Sequence, residues 1–348
     1  MRAAVFRAPG ERLAIESVAD PRPGNDDLVL KVMACGICGS DLHMSEVCDT
    51  AGGMKPLPAG AVMGHEFSGE IVELGAGAKG RWKIGQRVTA LPFIGCGHCV
   101  ACLSGQGHRC ATVQYAGMGG LSGGYAEYVR VAGHETLALP DGVSWEAGAM
   151  VEPLAVGLHA VEAGHLKPGD AVLVIGAGPV GLSVALWCRQ FGARHVIVSD
   201  LSPDRLALAA SCGATDGIDA RKENVVERFK RIAGGRPDAV FDCVGVPGSQ
   251  QLAMDYAPTN GRIVVAGVCM QPDRIVPVKA ITKELTVSYV YMYGRKDFAL
   301  AIEMLDRGRI DASAMLTGQV GFANFPAAFD SLRSDKSQCK VLLRPGSD

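Results

Sequence analysis

The sequence predicts an α/β protein of two domains, an antiparallel β-barrel-like domain and a doubly wound parallel sheet. Three observations predict it. The stretch "VLVIGAGPVG" (172–181) reads as a strand, a glycine turn and the start of a helix. Strand-like and helix-like segments alternate after it, the pattern of a parallel sheet covered on both faces. The first 150 residues instead carry short β-like runs split by Gly and Pro.

In chain order, "LVLKVMACGIC", "EFSGEIVELG", "QRVTALPF" and "YAEYVRVAG" are the strands of the first domain. The strand "VLVI" opens the second, followed by an apolar helix and the strand "HVIVSD". "VVERFKRIAG" reads as helix, "AVFDCVG" as strand, "SQQLAMDYA" as helix and "GRIVVAGV" as strand. From about residue 293 the chain adds the helical "RKDFALAIEMLDRG" and a last strand, "CKVLLR". The expected limits are 1–153 with 293–348 returning to it, and 154–292.

Length and composition bound the function. At 348 residues the chain has room for two domains, and a net charge of −2 argues against nucleic-acid binding. Glycine, at 45 residues, is about twice the ~7% average, which suggests many tight turns. No repeat or low-complexity tract is visible. The N-terminus "MRAAVFRAPGERLAIE" does not read as a signal peptide, so a cytoplasmic protein is expected. The uncharged run "AVLVIGAGPVGLSVALWC" (171–188) has nearly the length of a membrane span, but Gly176, Gly178, Pro179 and Gly181 interrupt it.

In that turn Gly176 permits the bend, Gly178 lets backbone approach a pyrophosphate, and Gly181 lets helix and strand pack closely. The helix after them offers its first amides to phosphates. Asp200 ends the next strand about 20 residues on, where an acid accepts the 2′-hydroxyl of an adenosine ribose and repels a 2′-phosphate. NAD is therefore the expected cofactor. Gly245 and Val268 follow two further strands, at the end of the sheet where ligands bind, and are expected nicotinamide neighbours.

Twelve cysteines are present, and four of them, Cys96, Cys99, Cys102 and Cys110, fall within fifteen positions. In a reducing compartment such spacing points to metal ligation rather than disulfides. Three other segments carry chemistry: "CGICGSDLH" (35–43), "GHEFSG" (64–69) and "VEPLAVGLH" (151–159). They offer a thiolate, an imidazole, carboxylates and a hydroxyl, which suit zinc with a proton path. Taken singly, Cys38 reads as a buried filler, His65 as a turn residue and Glu152 as a helix-start charge; their joint presence with a dinucleotide turn changes the weighing.

These motifs, with "GGYAEYV" and "VIGAGPVG", resemble the zinc-dependent medium-chain dehydrogenase/reductase superfamily along the whole chain, and within it the polyol, threonine and 2,3-butanediol dehydrogenase branch. The resemblance implies a GroES-like catalytic domain and a Rossmann cofactor domain. It implies two zinc ions per chain, a structural one on Cys96, Cys99, Cys102 and Cys110, and a catalytic one on Cys38, His65 and Glu152 with Glu66 nearby or exchanging. His98 and His108, inside the cysteine lobe, are then expected to be solvated. Asp41 is the acid that fixes the tautomer of a zinc-bound imidazole. The resemblance also implies that Ser40 takes the proton of the alcohol and that His43 passes it on. Around the cofactor the resemblance implies Pro179, Val180 and Val244 beside the glycines, Arg205 over the adenine, and Lys340 near the phosphates.

The expected activity is NAD-dependent oxidation of a secondary alcohol or vicinal diol, or its reverse, by a homo-oligomer, a tetramer before a dimer. A sugar-polyol or L-threonine dehydrogenase is the alternative within the family. A zinc-free reductase of quinones or enoyl groups would lack the ligands at Cys38, His65 and Glu152; a regulator that had lost the chemistry would lack Cys38 or His65. The segments "MSEVCDTAGGM" and "FIG" offer few fixed polar side chains, so Val47, Cys48, Phe93, Tyr115 and Met118 suggest an apolar pocket. Ser45 and Glu46 are the polar groups that could alter it.

Overall fold

The computed structural model describes residues 1–48 and 55–347. The chain divides into two compact units. The first holds Met1–Glu152, Tyr293–Ile310 and Leu316–Asp348; the second holds Pro153–Met292 and Asp311–Met315. The division thus falls inside the helix Val151–Ala163, and the short stretch 311–315 goes with the second unit.

The first unit is built on a seven-stranded sheet whose centre is Asp27–Gly36. That strand is buried along most of its length because it is covered on both faces, and it pairs antiparallel with Glu66–Leu74, Tyr128–Ala132 and Lys340–Leu343. Two bulges interrupt its pairing with Glu66–Leu74, between Val29 and Leu30 and between Val32 and Ala34. Bulges of this kind bend a strand and re-aim its side chains. One pair departs from the expected antiparallel pattern. Leu316–Val320 runs parallel to Lys340–Leu343, and the helix Phe325–Ser331 lies between them in sequence, the crossover that a parallel pair requires.

The second unit is a six-stranded parallel sheet in the order Asp216–Asp219, His195–Asp200, Ala171–Ile175, Ala239–Asp242, Arg262–Val265, Thr286–Tyr289. Ala171–Ile175 is fully buried, as its unbroken apolar run requires of an inner parallel strand. One face packs Leu173, Ile197, Val240 and Ile263 against Phe229 and Met254 of the flanking helices. Among the described residues no helix is long and apolar enough to cross a membrane.

The glycine turn has the stereochemistry its sequence implies. Gly176 sits at φ +95°, a region that L side chains rarely adopt. A Cβ on Gly181 would fall on the carbonyl oxygen of Gly176, so the helix Pro179–Gln190 can start this close to the strand only with glycine there. Pro179 occupies the first helical turn, where its missing N–H costs nothing.

Candidate metal centres and cofactor turn

Cys96, Cys99, Cys102 and Cys110 bring their sulfur atoms within 4.8 Å of one another. None is in a disulfide. The Cys99–Cys102 and Cys96–Cys102 separations are 3.6 and 4.0 Å. Four sulfurs about 2.3 Å from a tetrahedral zinc lie roughly 3.8 Å apart, so the donor set fits that ion. Backbone amides already point at the sulfurs: Cys99 N–H donates to Cys96 Sγ and Cys96 N–H to Cys110 Sγ. Cys110 is pulled down to about 6 by hydrogen bonds, first from the Thr112 hydroxyl, while burial pushes Cys102 up to about 12. A divalent ion would let all four ionise together.

His98 is exposed, as expected, but His108 is buried. It forms part of the lobe's own small core: its ring stands 6.0 Å from Phe93, edge to face, and its carbonyl accepts from the Tyr115 hydroxyl at 2.6 Å. Phe93 and Tyr115, expected in a substrate pocket, are thus engaged in holding this lobe. Met118 is exposed, and residues 49–54 of the segment "MSEVCDTAGGM" lie outside the described residues.

The second cluster is Cys38, His65 and Glu66, whose ligand atoms also lie within 4.8 Å of one another. Cys38 is the N-cap of the short helix Gly39–Met44, and His65 and Glu66 enter the strand Glu66–Leu74, so the two segments meet at the end of the central sheet pairing, where Gly36 faces Glu66. Glu152 is not in this trio. Its Oε1 accepts from the Tyr293 hydroxyl at 2.5 Å. Burial, reinforced by the charge of Glu66, raises Glu152 to about 7 against the pull of His65. The trio assembled by geometry therefore contains Glu66, which the sequence reading held as the nearby or exchanging ligand, and Glu152 stands beside it.

Lys340 corrects a second expectation. It is fully buried in the first unit, with Nζ 2.6 Å from both oxygens of Glu66 and 2.9 Å from the Ile37 carbonyl. An ammonium enclosed in this way has no donor left for cofactor phosphates. The resemblance implied a phosphate partner, but the strand Lys340–Leu343 turns it inward against a carboxylate.

Asp41 accepts from His65 Nδ1 at 3.2 Å through Oδ1 and from the Tyr125 hydroxyl at 2.5 Å through Oδ2. Burial works against its charge, yet His65, Tyr125 and the Cys38 amide hold it below the usual carboxylate range. Burial likewise opposes a charge on His65, but Asp41 and Cys38 more than offset it and raise the ring well above its ordinary value. Four potential anions, Cys38, Asp41, Glu66 and Glu152, thus converge with Lys340 and the His65 ring, a donor set that suits a divalent cation. Ser40 Oγ lies 3.5 Å from His65 Nε2, and His43 is exposed one helical turn further on. Tyr125, Tyr293 and the true partner of Lys340 were missed in the sequence. "GGYAEYV" flagged the first as a motif, but no spacing rule ties residue 125 to residue 41.

In the second unit the Asp200 carboxylate accepts from the Ala177 amide and the Ser202 amide, both at 2.7 Å. It braces the glycine turn as well as facing it. The Arg205 guanidinium lies beside Gly178, 4.0 Å from where a Cβ would stand. Val180 and Gly181 lie in the first turn of the helix at that loop. Val244 and Val268, each just past the end of a strand, are 40% and 51% exposed, large apolar groups left bare at the ligand-binding end of a parallel sheet. Between them Gly245 sits at φ +71°, and a Cβ there would come within 2.7 Å of the Val268 backbone.

Residues 24–141 match the alcohol dehydrogenase GroES-like domain family, and residues 179–307 match the zinc-binding dehydrogenase family. The chain is 32% identical to the sorbitol dehydrogenase of Bacillus subtilis over 348 residues, covering 99% of this chain and 97% of that one. It is 34% identical to the (R,R)-butanediol dehydrogenase of the same organism, covering 96% of each. A solved dehydrogenase from Sinorhizobium meliloti 1021, bound to NADP, superposes with a TM-score of 0.88 at 30% identity over 99% of both chains.

Proposed function

The chain belongs to the zinc-binding dehydrogenase family with a GroES-like domain, and on that premise we propose that it is an NAD-dependent zinc alcohol dehydrogenase of the cytoplasm, interconverting a secondary alcohol or vicinal diol with its ketone. The observation that carries this is the cluster of Cys38, His65 and Glu66. Three donors leave a fourth position for a substrate oxygen, which a four-thiolate site does not. Cys38, His65 and Glu66 would hold the zinc, which would supply acidification of an alcohol hydroxyl, and a nicotinamide bound in the second unit would supply a hydride acceptor.

The chain's own residues do the rest. Asp41 keeps the proton on His65 Nδ1, which leaves Nε2 as the ligand atom. Ser40 Oγ, 3.5 Å from that nitrogen, accepts the substrate's hydroxyl proton as it releases its own, which leaves to solvent by way of His43. Lys340 neutralises Glu66, and the Tyr293 hydroxyl fixes Glu152. In the second unit the Val180 and Gly181 amides would hold the pyrophosphate, Arg205 would cover the adenine, and Asp200 has lone pairs left for a ribose hydroxyl. The relative from S. meliloti holds NADP, so the carboxylate at Asp200 is the feature on which the NAD preference rests.

Medium-sized secondary alcohols and vicinal diols are the proposed substrates, ahead of sorbitol. The polar groups best placed to read a polyol are already engaged: Arg333 pairs with Glu46 and donates to Ser45 Oγ at 2.7 Å, and Ser45 donates to the Leu42 carbonyl. A site built to bind several hydroxyls rejects analogues lacking them, whereas an apolar wall discriminates by only about 1–3 kcal/mol per methylene. The test is kcat/KM for 2,3-butanediol, cyclohexanol and sorbitol with NAD. Sorbitol ahead by about a hundredfold, roughly 2.7 kcal/mol, overturns the substrate class and makes this a polyol dehydrogenase.

A homo-oligomer, a tetramer before a dimer, belongs to the same reading. Thr286–Tyr289 ends the parallel sheet with an open edge, and Tyr289, Tyr291, Val278 and Ile281 are exposed around it. A second copy could continue the sheet there. Light scattering on the eluting protein tests this, and a monomer at micromolar concentration rejects it.

A further inference from the structure

We propose that Tyr125 is a positioning residue for His65, acting through Asp41: its hydroxyl holds the buried carboxylate in the orientation that keeps the His65 proton on Nδ1 and Nε2 free for the metal. The proposal rests on the reading of His65 as a metal ligand.

The argument begins with what each group needs. Asp41 is 5% exposed, and a carboxylate that has lost its water must find donors in the protein. Three reach it. His65 Nδ1–H serves Oδ1, while Oδ2 takes the Tyr125 hydroxyl at 2.5 Å and the Cys38 amide at 3.4 Å. The Cys38 contact is at the outer limit of a hydrogen bond, so Tyr125 is the close donor to Oδ2. Without it that oxygen keeps one long contact in a space from which water is excluded. A carboxylate in that position turns toward another donor, and that rotation loosens its hold on the imidazole.

The tyrosine, in turn, is held from several sides. Its ring is fully buried and packs on Phe325, with centroids 4.8 Å apart, and edge-on to Phe329. Its amide donates to the Met63 carbonyl and the amide of Gly124 to the Gly64 carbonyl, which ties this loop to the two residues before His65. Gly64 lies at φ +96°, and a Cβ there would come within 2.5 Å of the Tyr125 ring. The ring therefore occupies the space beside the backbone that delivers His65, and the hydroxyl reaches the carboxylate that orients its side chain. A phenylalanine would keep the first function and lose the second.

The test compares the wild type, Tyr125→Phe, Asp41→Asn and the double variant. Each is purified with its zinc and mixed with an excess of a chromophoric chelator, and zinc release is followed in time. The mixed-donor cluster and the four-cysteine lobe give separate phases, so the lobe is an internal control. Tyr125→Phe should accelerate the mixed-donor phase by about tenfold, the lower end of the effect of losing a group that supports a metal ligand, and leave the lobe phase unchanged. Replacing that zinc by cobalt should give a visible ligand-field band shifted in Tyr125→Phe. In the Asp41→Asn background the Tyr125→Phe effect should vanish, since two changes acting through one group do not add.

An unchanged mixed-donor phase overturns the proposal. So does an effect that persists in full beside Asp41→Asn. Acceleration of both phases, or a variant that cannot be purified folded, assigns Tyr125 to general stability and overturns it as well. A wild type with only the lobe zinc rejects the underlying metal reading and this proposal with it; two zinc ions with unchanged release reject only the role of Tyr125.

Discussion

The cysteine lobe and the cluster around His65 are both candidate metal centres of the first unit, and they are assembled in opposite ways. The lobe takes all four donors from fifteen consecutive positions, and its four sulfurs gather within 4.8 Å of one another, enough to fill a tetrahedral shell by themselves. The other cluster joins Cys38 to His65 and Glu66 and then draws support from far along the chain. Tyr125 is 84 residues from Asp41, Tyr293 is 141 from Glu152, and Lys340 is 274 from Glu66. On the proposed reading, a closed shell of identical donors would leave no position for substrate and would serve the fold, whereas a mixed and incomplete shell, braced by donors the fold has already fixed, would serve chemistry.

That contrast can be broken most directly at the ligands. Replacing Cys38 with Ser should lower kcat by about a thousandfold or more, because the polarisation supplied by a metal is worth several kcal/mol, while the melting temperature stays close to that of the wild type. Cys99→Ser should do the reverse: a clear drop in melting temperature, with kcat of the surviving folded fraction within a fewfold. If Cys38→Ser unfolds the protein and Cys99→Ser only slows it, the assignment of the two sites is inverted. Metal analysis of protein never exposed to chelator should give two zinc ions per chain, and one or none rejects the two-centre reading.

Cofactor choice comes next in size. NAD should be preferred over NADP by at least about tenfold in kcat/KM, since Asp200 would meet a 2′-phosphate as a like charge. Equal use of both would mean that its bonds to the Ala177 and Ser202 amides are its whole role.

The smallest effect concerns what lies beneath the lobe. Glu135 is buried against Gly107, and burial raises it to about 7, opposed by Arg295, with His134 Nε2 3.9 Å away. A carboxyl raised above its unfolded value of 4.5 binds more protons in the folded state. Its stabilising contribution is therefore present at low pH and declines as pH rises from about 4.5 to about 7. Thermal melts from pH 5 to pH 8 should show a decline that Glu135→Gln reduces. An identical pH dependence in the variant would show that Glu135 is not the group responsible.

Some of this was legible in the chain and some was not, and the reason differs by feature. The glycine turn, the parallel sheet and the four-cysteine lobe are local patterns, in which backbone sterics or ligand spacing act over a few residues. Gly176 and Gly181 are where a side chain cannot stand, and that is readable in one dimension. The exposed His98 and buried His108 were not distinguishable, because both follow glycines in the same short loop and only packing on Phe93 separates them. Lys340 was read as a cofactor contact from the family resemblance, which does not show what the strand packs it against.

The sequence by itself determined which residue types could bind metal and nucleotide, because spacing, glycine stereochemistry and strand–helix alternation act along the chain. The tertiary structure decided how those residues are arranged: Glu66 with Cys38 and His65 and Glu152 next to them, Lys340 turned inward, and Tyr125 on Asp41. The physical reason is burial. Once water is excluded, every charge must be met by a donor or a counter-charge, and which group is within reach is fixed by how distant strands pack.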